Sequence, residues 1–296
     1  MTDTNGKSTL ARQVRELEVP HGHLALWALG QQGYILKSGR HIVVIDPYLS
    51  NYVEEIVPNQ MDFFARQIPI VVPPEELDTV TLVLATHQHA DHCDPQTLHP
   101  LMRASKDACL VTSYKAKETL SQEHFDTGRI SVPPVGEAVE HGDGLTVTAI
   151  PSAHYRQEPD EHGNPAYLGF IINMNGVTLY HCGDTIIYPG LIERLKEQEI
   201  DIACLPINGR DWFREQHDLT GNLDYREAAE LAVAAGVKVL IPGHNDMFAA
   251  NRINPAYLLD YLQAHHPTQR VHFLQAGELY YFVRDQGSGI SKLPNP

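Results

Sequence analysis

Short apolar runs and the spacing between them divide the chain into elements. Near the start, residues 23–30 (HLALWALG), 33–38 (GYILKS) and 41–47 (HIVVIDP) are rich in aliphatic and aromatic positions and separated by glycine-containing turns, which predicts a β-meander. Residues 49–80 bring prolines and mixed polar positions without a clean period, predicting a long loop or cover beside a site. From residue 81 onward apolar runs alternate with helical patterns. TLVLAT (81–86), ACLVTS (108–113) and RISV (129–132) read as strands, with helices over 94–105 and 113–125 between them. A second block repeats the style. Strands are predicted at 144–154, 166–174, 176–184, 201–207, 238–244, 270–274 and 278–283, and helices at 189–199, 224–236 and 255–265.

Both halves interleave strands with helices, and no Gly/Ser-rich linker parts them. The expectation is an α/β fold: two sheets packed face to face with helices outside, in one domain over 1–296, with residues 1–20 a polar leader.

Composition narrows the function classes. A chain of 296 residues that is 43% hydrophobic can bury a substantial core. No apolar run is long enough to cross a bilayer and the start lacks a secretory apolar segment, so a cytoplasmic protein without a membrane role is expected. Four cysteines without paired spacing suit reduced, packed thiols. A net charge of −15 argues against nucleic-acid partners, since phosphate backbones select basic surfaces. It leaves room for a small anionic substrate, because a local metal charge can outweigh a distant surface field.

The chemistry concentrates at 82–95, LVLATHQHADHCDP, where three histidines and two aspartates crowd the exit of an apolar strand. His87 and His89 are two residues apart, so in an extended segment they point the same way and can converge on one ion. Asp91 and His92 follow where the chain turns, which lets them face a second ion. A His-x-His-x-Asp-His string arises by chance in roughly three in a thousand chains of this composition. A helix cap explains Asp94 before Pro95 but gives no reason for the histidines.

This pattern resembles the metallo-β-lactamase superfamily. Three later positions fit that family's ligand order: His154 in IPSAHY, Asp184 in LYHCGDT and His244 in VLIPGHND; Asp46 in VVIDP matches its early aspartate. The resemblance implies the family's αββα sandwich of two mixed β-sheets with outer helices. It also implies two divalent metal ions, manganese or zinc. His87, His89 and His154 would hold one and Asp91, His92 and His244 the other, with Asp184 between them. Asp91 would steady or deprotonate the attacking water, making it catalytic as well as a ligand. Asp46 would support a ligating histidine, or serve only as a turn residue before Pro47.

The segments HLALWALGQQGYILKSGRHIVVIDP, VLATHQHADH, GVTLYHCGDT and KVLIPGHNDMF are similar to the branch of the family that contains bacterial L-ascorbate-6-phosphate lactonases. That similarity implies a hydrolase opening a sugar lactone phosphate by attack of a metal-activated hydroxide, and is compatible with a homo-oligomer. A phosphodiesterase or phosphoesterase is the alternative, and a non-catalytic metal-binding sensor a third. Arg210 is the candidate contact for the phosphate, with Arg156 a second basic candidate, and Asn208 a candidate donor to a substrate hydroxyl; each is also explained by an ordinary surface loop. Cys93 and Cys182 read as packed thiols, and His181 as an outside candidate near the site.

Overall fold

Alternation along the first strands assigns one set of side chains to each face, so both faces of the first sheet must be covered. The computed structural model describes residues 8–217 and 219–284. The first sheet holds β1 (His23–Gly30), β2 (Gly33–Ser38), β3 (His41–Ile45), β4 (Leu82–Ala85), β5 (Cys109–Thr112) and β6 (Ile130–Ser131). The second holds β7 (Ala138–Glu140), β8 (Leu145–Pro151), β9 (Leu168–Met174), β10 (Val177–His181), β11 (Ile202–Pro206), β12 (Val239–Gly243) and β13 (Arg270–Val271). The chain then returns as β14 (Leu279–Val283), which pairs with β1, so the strand orders are β14-β1-β2-β3-β4-β5-β6 and β13-β12-β11-β10-β9-β8-β7. Both sheets are mixed: β1–β2–β3 and β8–β9–β10 are antiparallel, whereas β3–β4–β5 and β10–β11–β12 are parallel.

Three apolar layers follow. Leu24, Leu26 and Ala28 of β1 face inward and meet Val147, Phe170, Ile172 and Ile241 of the second sheet. Ala25, Trp27 and Leu29, the alternate positions, face outward and are covered by α1 (Thr9–Glu16) and, further along the same layer, by helices described below. Each such aliphatic or aromatic side chain contributes about 1.5–3 kcal/mol by leaving water. The expected αββα sandwich is therefore the observed architecture.

One expectation is corrected, and of the loop or cover expected over 49–80 the structure shows the cover. Residues 1–7 of the expected polar leader lie outside the described residues, but α1 is an amphipathic helix capped by Ser8, whose Leu10, Ala11 and Val14 are buried in the outer layer. Its apolar positions at a helical spacing were outweighed by the charged residues around them. The expected loop over 49–80 contains α2 (Tyr52–Ile56) and α3 (Met61–Phe64), each little more than a turn. These pack as a cover: Val53 joins Tyr48, Met247 and Phe248 in a small core of their own, with Val57 and Phe64 against it.

The remaining helices are α4 (Pro95–Ala104), α5 (Tyr114–Gln122), α6 (Leu191–Lys196), α7 (Trp212–Glu215), α8 (Tyr225–Ala234) and α9 (Ala256–His265). Helices α4 and α5 complete the outer layer over the first sheet, and α6, α8 and α9 cover the second through Leu191, Leu195, Ala228, Leu231, Leu258 and Leu262. The short α7 interrupts what the sequence suggests is a loop. Among the described residues no helix is long and apolar enough to cross a membrane.

Candidate metal centre

Strand direction brings the histidines and aspartates together. In the first sheet β1, β3 and β4 run the same way, and in the second β8, β10 and β12 do, so each group ends on a shared edge. Gln31 follows β1, Asp46 follows β3, His87 to His92 follow β4, His154 follows β8, Asp184 follows β10 and His244 follows β12. The two edges meet. His87, His89 and His154 bring one donor atom each within 4.8 Å of one another; so do His87, His92 and Asp184, and Asp91, His92 and His244.

Asp184 touches both ends of this array. Its Oδ2 is 3.6 Å from His154 Nε2 and 3.2 Å from His244 Nε2, and its Oδ1 is 3.3 Å from His92 Nε2. His92 Nε2 and His244 Nε2 are each 3.6 Å from Asp91 Oδ2 and 3.3 Å from each other. His87 Nε2 and His89 Nδ1 lie 2.9 Å apart.

The surrounding hydrogen bonds fix which ring nitrogen faces inward. Thr86 donates its hydroxyl to Asp46 Oδ2 at 2.7 Å, so toward His87 Nδ1, 3.0 Å away, it can only accept; the proton sits on Nδ1 and the Nε2 lone pair is free. His92 Nδ1 donates to the same Asp46 oxygen at 2.8 Å, which frees its Nε2 in the same way. Asp46 thus orients two rings, one directly and one through Thr86, and its other oxygen accepts the Thr86 backbone N–H at 2.7 Å. His181 is occupied elsewhere. Its Nε2 donates to the Gln32 carbonyl at 2.8 Å and its Nδ1 accepts from Gly183 N, so it shapes the turn before Asp184. Gly183 is required there: φ is +59° and a Cβ would meet the Leu168 carbonyl and Thr86 Cβ at 2.8 Å.

Burial sets the charge state. It pushes His87 well below and His89 below the ordinary imidazole range, and brings His154 down to about 4. These rings are neutral near pH 7 and offer lone pairs. Burial alone would raise Asp184 and Asp91, but His244 and His92 beside them outweigh it and hold both carboxyls below their usual range. Burial lowers His92 too, but Asp184, Asp91 and Asp46 outweigh it and hold that ring well above the ordinary imidazole range, a proton whose place a cation would take. With it displaced, imidazole lone pairs and ionised carboxylates make the donor set of a divalent transition-metal site. The fit shows in the unsatisfied atoms too: Asp184 Oδ1 is buried and receives no hydrogen bond of proper geometry.

The family model described as "Beta-lactamase superfamily domain" matches residues 41–245. The chain belongs to the metallo-β-lactamase superfamily. It is 26% identical over 269 residues to a UPF0173 metal-dependent hydrolase of Alkaliphilus metalliredigens, covering 86% of this chain and 98% of the relative. A UPF0173 metal-dependent hydrolase of Thermoplasma acidophilum is 29% identical over 239 residues, covering 79% and 85%. Among solved structures, Igni18, a metallo hydrolase from Ignicoccus hospitalis, superposes with a TM-score of 0.63 at 20% identity, covering 88% of this chain and 98% of that one. That likeness concerns the fold.

Within this superfamily frame, the expected substrate contacts separate from the cluster. Arg210 forks onto Glu227, with Nη1 to Oε2 at 2.7 Å and Nη2 to Oε1 at 2.6 Å, and also donates to the Asn222 carbonyl. Arg156 is mostly exposed and bonds Glu158. Asn208 is buried, its Oδ1 accepting from Asn222 and its Nδ2 reaching Asn251 at the cavity lining. None of the three lines the cavity over the cluster. A loop carrying arginines pairs them locally when acidic partners follow on the next helix, and Glu227 does. Cys93 and Cys182 are buried and burial pushes both thiols up, so both are packed residues as expected. Gln31 was not anticipated. Two glutamines in a tight turn between apolar strands are ordinarily exposed; here both are buried, and that turn's position on the ligand edge is the signal available in the sequence.

Proposed function

We propose that this protein is a metal-dependent hydrolase that opens a carboxylic ester or lactone. The observation that carries the reading is Asp184, whose two oxygens reach histidines of both donor sets while Asp91 stands beside them on the cavity surface. His87, His89 and His154 would hold one ion and Asp91, His92 and His244 the other, with Asp184 shared. Two divalent ions, manganese or zinc, supply Lewis acidity and lower the pKa of water toward about 7 when bound. Asp91 takes up the proton released as water adds to the carbonyl and returns it to the departing alkoxide. Gln31 holds Asp91 for that task through a 2.6 Å hydrogen bond. Asp46 keeps His87 and His92 in the tautomers that present Nε2. The α2–α3 cover forms one wall of the cavity over the reacting centre.

A carbonyl substrate is favoured over a phosphodiester because no lysine or arginine among the described residues lines the cavity to meet a second anionic oxygen. The sugar-lactone phosphate suggested by the branch resemblance meets the same difficulty. The test is a hydrolysis screen of manganese- or zinc-loaded protein against lactones, simple esters, lactone phosphates and phosphodiesters, with and without chelator. Chelator-sensitive lactone or ester turnover supports the reading, and activity confined to phosphodiesters overturns it.

A further inference from the structure

A cavity of about 270 Å³ opens over the cluster, and its two sides differ in chemistry. The floor is polar: His89, Asp91, His154, Asp184 and His244. The opposite wall is apolar, made by Val53, Ile56, Val57 and Phe64 of the cover and by Leu219 from the loop after α7. Thr220 and Asn251 are the uncharged polar residues beside it.

The wall is built rather than incidental. Arg66 fastens the cover by donating to the Ser50 and Tyr48 carbonyls at 2.7 and 2.9 Å, with its guanidinium 4.4 Å over the Tyr48 ring. Glu54 accepts from Arg66 N at 2.7 Å, and Gln67 N donates to the Met247 carbonyl at 2.8 Å, which ties the cover to the loop that carries His244. Val53 is buried in the core beneath the wall, so its position is set by packing. Ile56, by contrast, is 50% exposed at the cavity. An isoleucine kept in water beside a polar reaction centre gains only when something apolar covers it. Of the arginines close in sequence to the lining segments, Arg66 is committed to backbone carbonyls, Arg156 to Glu158 and Arg214 to the Gly209 carbonyl and Asp211, while the exposed Arg252, next to Asn251, does not line the cavity.

We infer that the substrate is an ester or lactone whose reacting carbonyl carries an uncharged apolar chain, which lies along Val53, Ile56, Val57, Phe64 and Leu219 while the carbonyl faces the histidines and aspartates. The inference rests on the hydrolase reading above and adds the substrate class to it. Water adds to the carbonyl carbon, the bond to the alkoxide oxygen breaks, and that oxygen takes the proton held by Asp91; no oxidant or further reactant is involved. The carboxylate product keeps the apolar chain.

The experiment has two arms on the metal-loaded protein. In the first, kcat/KM is measured for γ-lactones whose alkyl chain, on the carbon next to the carbonyl, grows from one to six carbons, and for a matched lactone whose chain ends in phosphate. Each added methylene is expected to raise kcat/KM by about three- to fourfold until the wall is filled, with the phosphate-ended compound below its uncharged counterpart. Ile56→Ser, at an exposed position, and Phe64→Ala should each flatten that slope. A slope indistinguishable from zero, or a preference for the phosphate, overturns the inference. The second arm measures the shift in melting temperature produced by straight-chain carboxylates of the same lengths, which needs no turnover. If no lactone or ester is hydrolysed yet the shift grows with chain length, the apolar site stands and the hydrolase reading falls. A shift independent of chain length overturns the inference whatever the activity.

Discussion

Gln31 Nε2 donates to Asp91 Oδ2 at 2.6 Å, joining the first hairpin turn to a carboxylate on the cavity floor. The turn is itself fastened to the His244 loop, because Gln31 N donates to Asp246 Oδ1 and Gln31 O accepts from His244 N. Gln31 therefore positions two residues of the cluster. Gln31→Met keeps the stem and removes the donor, so the fold should persist while affinity for manganese or zinc drops about 10- to 100-fold. Competition against a chromogenic chelator measures this, and an unchanged affinity would assign Gln31 to the turn alone.

Asp46→Asn tests the tautomer argument. Every partner of Asp46 is a donor: Thr86 N to one oxygen, and Thr86 Oγ1 and His92 Nδ1 to the other. The asparagine NH₂ cannot face Thr86 N, so it faces His92, which must then accept through Nδ1 and carry its proton on Nε2. That nitrogen loses its lone pair. The same NH₂ faces Thr86 Oγ1 and frees that hydroxyl to donate to His87 Nδ1, so His87 loses its Nε2 lone pair as well. Elemental analysis should show metal depleted from both positions with circular dichroism unchanged, and full occupancy of both would refute the assignment.

Much of this site is legible in the sequence because strand exits and ligand spacing are local properties. His87 to His92 lie within six residues, and His154, Asp184 and His244 each follow an apolar run that ends abruptly in polar residues. What stays hidden depends on contacts distant along the chain. Gln31 meets Asp91 across 60 positions, and the place of its turn on the ligand edge hints at the neighbourhood without naming the partner. The cover over 49–80 reads as irregular since its helices are too short for a period; its order comes from Arg66 and from packing on Met247 and Phe248. The pairing of Arg210 is hidden for a similar reason, because Glu227 is 17 positions away on α8.

Loss of a ligand and loss of a proton carrier should separate. His87→Ala and Asp184→Ala each remove a donor that no neighbour replaces at the same geometry, so both should be depleted of metal and inactive. Asp91→Asn keeps an oxygen and should retain part of the metal, but turnover should fall at least about a hundredfold because the amide cannot take up a proton. Metal content and kcat measured on the same preparations distinguish the two patterns. Near-normal turnover in Asp91→Asn would leave Asp91 a structural role only.

Arg210→Ala sets the phosphate-anchor idea against the geometry. The guanidinium spans both oxygens of Glu227, and that carboxylate also accepts the Asp224 N–H in the capping box that starts α8. The Glu227 hydrogen bond, despite some burial, holds the Arg210 pKa above its usual value, which marks the charge as already satisfied. Removing the arginine should loosen the start of α8, and because both side chains are about 30% exposed the pair is partly screened. The expected cost is about 1 kcal/mol, toward the upper end for a surface pair because the contact is bidentate. Urea unfolding reads that loss directly. Catalysis should respond differently from a lost substrate contact: the ratio of kcat/KM for a phosphorylated lactone to that for its uncharged parent should stay within about twofold of the unsubstituted protein, since a charge-assisted contact would shift it by roughly 30- to 150-fold. A selective collapse of the phosphorylated substrate would mean that Arg210 leaves Glu227 when that substrate binds.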